Sequence, residues 1–186
     1  MKSNIKKSIV FTGCFISSLF IIQSCSDTTT PPAPTNEEEL ITTLKIELTD
    51  TFSHEVFNYF FRDPDGEGAI APIQWDSIIL NSNRAFTAKV KFLNESNPNA
   101  VVNITDEIKK EQENHLVCYE ISNADLLITR TDSAGLFLLG LSSKWKSGLK
   151  SKGDLTVRLK HQPGIKDGTC NPGSTDVEVK FPLIIR

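Results

Sequence analysis

The sequence predicts an all-β fold: an immunoglobulin-like antiparallel β-sandwich of eight or nine strands, with one short surface helix over 104–114. Three observations carry the prediction. Apolar residues recur at every second position through four long segments. Turn-forming clusters separate these segments at regular intervals, and only one stretch carries helical signals. A closed barrel satisfies the same pattern.

The four clearest strands come in order along the chain. In LITTLKIEL, Leu40, Thr42, Leu44, Ile46 and Leu48 share one face, with Lys45 and Glu47 on the other. In RAFTAKVKF, Phe86, Ala88, Val90 and Phe92 alternate with Thr87, Lys89 and Lys91. In DLTVRLKH, Leu155, Val157 and Leu159 alternate with Thr156, Arg158 and Lys160. In DVEVKFPLII, Val177, Val179, Phe181, Leu183 and Ile185 alternate with Glu178 and Lys180. One dry and one wet face per strand is the pattern of an antiparallel sheet. Further strands are expected at 56–61, 77–80, 116–121, 126–130 and 138–146, where both parities are apolar. Turn clusters separate them, including DPDGEG at 63–68 and QPGIKDGTCNPGS at 162–174. ITDEIKKEQEN at 104–114 has Thr105 placed as an N-cap, acids in its first turn and lysines later. It reads as a surface helix of two to three turns.

The first 24 residues read as a secretory signal. Lys2, Lys6 and Lys7 precede an apolar run over 9–22, which is too short for a membrane-spanning helix. Ile22-Gln23-Ser24-Cys25 then resembles a lipobox. That resemblance implies diacylation of the Cys25 thiol, cleavage after Ser24 and acylation of the new amino group. SDTTTPPAPTN, at 26–36, reads as a solvated tether, and 37–186 as a single domain.

The formal charge is −3 and becomes −6 once the three signal lysines are removed. This balance argues against a nucleic-acid partner. Lysines and acids are interspersed along the chain, so no polybasic strip for anionic lipid is expected. Of the four cysteines, Cys14 leaves with the signal and Cys25 takes the lipid. Cys118 and Cys170 remain, either bridged in an oxidising compartment or as one buried and one loop thiol.

The order of landmarks, from NEEELITT through RDPDGEG, KVKFLNESNP, ITDEIKKEQENH and LKHQPG to TDVEVKFPL, resembles a group of small Bacteroidota lipoproteins without an established function. Members often bear the label "type 1 periplasmic binding fold". The resemblance implies an outer-membrane address, facing the periplasm or the cell surface. That labelled fold consists of two α/β lobes, whereas the strand pattern here predicts a β domain.

Two constellations point to metal chemistry. Asp63, Asp65 and Glu67 occupy the 1, 3 and 5 positions of a calcium loop, with Gly66 at the bend. A polar turn has the same composition. His115 ends the helical segment and His161 ends a strand. If those ends meet, His115, His161 and Glu111 form a zinc or other transition-metal set. The alternative is two histidines satisfied locally. The aromatics Phe57, Tyr59, Phe60, Phe61, Trp75 and Trp145 line either a pocket or the core. There is no GxSxG serine and no Gly-rich phosphate loop. The expectation is therefore a non-enzymatic envelope lipoprotein that binds a small ligand, a metal ion or an outer-membrane transporter. A structural or adhesion module is the alternative, and a hydrolase of envelope polymers the remote one.

Overall fold

Alternation of dry and wet positions sorts the chain into two facing sheets. The structure, a computed structural model, describes residues 40–186 apart from Glu67, Ala69, Ser133 and Ala134. The signal segment, Cys25 and the tether lie outside the described residues.

Ten strands are present among those residues: β1 (Thr43–Asp50), β2 (Val56–Arg62), β3 (Gln74–Trp75), β4 (Ile78–Leu80), β5 (Ala85–Leu93), β6 (His115–Ser122), β7 (Leu126–Arg130), β8 (Ser142–Ser147), β9 (Ser151–His161) and β10 (Ser174–Ile185). One sheet has the order β3-β2-β1-β5-β8-β7 and the other β4-β10-β9-β6. The predicted sandwich is thus the observed fold, and no barrel closes. One pairing departs from the antiparallel expectation, because β4 runs parallel to β10.

The predicted dry faces meet between the sheets. Leu44, Ile46, Leu48, Phe86, Val90, Phe92 and Trp145 come from the first sheet, and Leu155, Val157, Leu159, Phe181 and Leu183 from the second. All are buried. Each such side chain stabilises the fold by roughly 1.5–3 kcal/mol relative to exposure. Most of the aromatics serve this core: Trp145 is enclosed, with Tyr119 edge-on to it at 6.3 Å. Phe60 instead faces outward under the Arg62 guanidinium, 4.0 Å from its ring.

Three local expectations are corrected. The helix α1 covers only Ile104–Lys110, and its N-cap is Asn103. Thr105 lies buried inside the helix, where its hydroxyl accepts from the Phe92 amide (2.8 Å) and donates to the Phe92 carbonyl (3.1 Å). Its capping chemistry is used to tie the helix to β5. The strand expected over 138–146 begins only at Ser142. Residues 138–141 instead bridge the two sheets, since the Val117 amide donates to Leu139 O (2.7 Å) and the Val90 amide to Leu141 O (2.9 Å). β3 was not expected from the sequence, as two residues are too few to show a period.

Candidate metal centre

His115 is the first residue of β6 and His161 the last of β9, and in that antiparallel pair they stand directly opposite each other. Both follow the parity of Val117 and Leu159, so they extend the core face to one end of the sandwich, where both are buried. Their rings lie 4.9 Å apart, centre to centre. Glu111, the C-cap of α1, is brought to them by a turn in which the Asn114 amide donates to Glu111 O (2.8 Å) and the Gln162 amide to Asn114 O (2.6 Å). One ligand atom each from Glu111, His115 and His161 lies within 4.8 Å of the others. This is the only such group of three metal-binding side chains among the described residues.

A fourth donor, absent from the sequence reading, joins them. The β9–β10 register shifts between Thr175 and Val177, so Asp176 is an extra, bulged residue. Strict alternation would send it outward with Glu178 and Lys180. The bulge turns its carboxylate inward, 94 % buried, to 3.7 Å from His115 Nε2. In STDVEV the acid stands in phase with Glu178 and Lys180, so the sequence carries no signal of its inward turn. A bulge is visible only against the partner strand.

The His115 tautomer follows from its surroundings. Nδ1 lies 3.1 Å from the Glu111 carbonyl oxygen, which can only accept, so Nδ1 carries the hydrogen. Nε2 then holds the lone pair on the side facing Asp176. A backbone carbonyl holding one ring nitrogen while the other is left to a ligand is the usual arrangement of a metal-binding histidine. Burial pushes the His115 pKa below its ordinary value, opposed by the Glu111 carbonyl and reinforced by His161, so the ring is neutral at neutral pH.

A stability prediction follows. Below about pH 6.5 the unfolded chain protonates this histidine while the fold resists, so the contribution is full above that pH and falls as pH drops through the window beneath it. In chelator, the melting temperature should fall more steeply from pH 7 to pH 5 for the wild type than for His115→Gln. Equal slopes would contradict it.

Comparison with family models, curated proteins and solved structures finds no match.

The loop over 162–174 closes the site from outside. The Gln162 side-chain amide, fully buried, donates to Thr169 O and Pro172 O, both at 2.9 Å. Lys160 Nζ donates to Gly173 O (2.9 Å), and Lys166 Nζ reaches across to Gln112 O (2.7 Å). Gly173 has φ +80° and sits so close to the His161 carbonyl that a Cβ would lie 2.0 Å from it, so only glycine fits there. A disulfide joins Cys170 of this loop to the buried Cys118, with Cα atoms 6.0 Å apart, resolving the two alternatives. Arg130 braces it, its Nε donating to Val117 O (2.8 Å) while Nη2 lies 3.2 Å from Cys170 Sγ.

The calcium-like segment behaves differently. The Gly66 amide donates to Asp63 O (3.0 Å), closing a turn with Gly66 at φ +75°, and Asp63 is buried beside Thr42, whose carbonyl accepts its amide. Glu67 lies outside the described residues. Among those described, no third acid gathers with Asp63 and Asp65 into a metal-binding group.

Proposed function

We propose that this chain is a non-enzymatic, lipid-anchored protein of the cell envelope that binds a transition-metal ion. Its donors are His115, His161, Glu111 and Asp176. One observation carries the reading: two histidines 46 positions apart are placed opposite each other in a buried sheet end, with two carboxylates converging on them. Two imidazoles and two carboxylates suit Zn²⁺ or a similar borderline ion rather than calcium, which prefers six to eight oxygens. Donors on one tetrahedral zinc lie roughly 3.4 Å apart at the usual bond lengths. The present spacing of up to 4.8 Å needs a closure of little more than an ångström, within reach of side-chain rotation.

Isothermal titration of the protein from Ser26 onward tests the metal. One zinc per chain and no heat with calcium are expected; no binding, or binding that survives loss of both histidines, would refute it. The anchor is tested separately, by labelling cells with a palmitate analogue. Label on the wild type and none on Cys25→Ser is expected.

A further inference from the structure

The lysines that look scattered in the sequence are gathered by the pleat. Among the described residues, the outward face of the six-stranded sheet carries Lys45 of β1, Lys89 and Lys91 of β5, and Lys144 and Lys146 of β8. The expectation of no basic strip is therefore corrected: the charges alternate with buried residues along each strand, and alternation assigns all of them to one side. Glu47 stands among them, 3.4 Å from Lys45 and opposite Lys89.

Two comparisons show that this face is not an ordinary solvated one. Lys45 and Lys91 are directly opposed across β1 and β5, an arrangement of like charges that destabilises a sheet. Lys144 lies between Thr87 and Thr129, and Lys146 between Ala85 and Leu127, with no acid opposite either. On the four-stranded sheet five of the outward charges are paired instead. Arg158 binds both Glu120 and Glu178, and Lys180 lies 3.6 Å from Asp154. A chain that is acidic overall thus keeps one sheet face net cationic, with five lysines against the single Glu47 on β1, β5 and β8. Lys89 and Lys91 continue, with Lys109 of α1, around a cleft of about 290 Å³ beside that face.

We propose that this face docks on the anionic phosphate head groups of a lipid bilayer. Charge complementarity supplies the attraction, and adjacent strands 4.7–4.9 Å apart spread the lysines in one shallow layer suited to a flat surface. The choice of a bilayer rests on the lipid-anchor reading and is independent of the metal. Leu40 follows Cys25 by fifteen positions, a reach of about 50 Å at full extension, so an anchored domain can lay this face on the membrane.

The unlipidated protein from Ser26 onward is suitable for the test, because the described core and the disulfide all lie within 40–186. It is mixed with vesicles of phosphatidylcholine alone or with 30 % phosphatidylglycerol (about three lipids in ten, enough to give a strongly negative surface) and sedimented. Binding to the anionic vesicles only, weakened by salt, is expected. Reversing four exposed lysines, in Lys89→Glu/Lys91→Glu/Lys144→Glu/Lys146→Glu, should weaken it by several hundred-fold, roughly fivefold per lysine. Lys152→Glu on the opposite sheet should leave it unchanged. No binding to anionic vesicles at low salt, binding that survives the four reversals, or preference for duplex DNA over the vesicles would each overturn the proposal. Palmitate labelling of Cys25 is read independently, so failure of the anchor is distinguishable from failure of the face.

Discussion

Replacing Cys118 and Cys170 with alanine should lower the stability of the domain by about 4 kcal/mol. The bond joins residues 52 apart, and a cross-link closing a loop of that size removes this much chain entropy from the unfolded state. For a domain near 150 residues, this corresponds to a fall of about 8–16 °C in melting temperature. The effect acts mostly on the unfolded chain, because the loop keeps its other ties: the Gln162 amide, Lys160 and Lys166 hold it without the sulfurs. Thermal melts of the double variant should therefore resemble those of the wild type under reductant, both far below the oxidised protein. A drop of under 2 °C would mean that the unfolded state is already restricted, and the entropic account would fail.

His161→Ala should weaken zinc binding by more than about 100-fold, since even outer partners of a metal ligand typically matter 10- to 100-fold. Asp176→Asn keeps the shape and one oxygen donor but removes the charge, so a smaller loss, of about tenfold, is expected. Glu111→Gln should behave similarly. Competition titration with a zinc-binding dye measures all three. Burial keeps His115 neutral near pH 7, so zinc need displace no proton from it there. Affinity should fall as the pH drops and protons compete for the imidazoles. Equal affinity of His161→Ala and wild type would remove the site.

The outline of the fold was legible in the sequence wherever one strand face is dry and the other wet. LKIEL, FTAKVKF, LTVRL and VEVKF became β1, β5, β9 and β10 because alternation leaves a strand only one way to bury its apolar side. Legibility failed where local chemistry was spent on a distant partner. Thr105 has the chemistry of a cap, yet its hydroxyl serves the backbone of Phe92. Residues 138–141 have strand-like apolarity, yet their carbonyls accept from both sheets. The candidate site was half legible. His115, His161 and Glu111 could be named as chemically fit donors, but Asp176 was hidden because its direction depends on a bulge against β9.

The sequence by itself determined which residues are apolar, which are charged, and at what period they alternate. Those local properties select strands, faces and turns. Only the tertiary structure decided which strand lies beside which, and in what register. Register is set by long-range pairing, and it placed His115 opposite His161, brought Cys118 within bonding distance of Cys170, and laid five lysines from three strands in one layer. A one-residue slip of any of these pairings would send the same side chains to the opposite face. For that reason the composition of each strand could be read from the chain, while the site and the cationic face belong to the folded sheets.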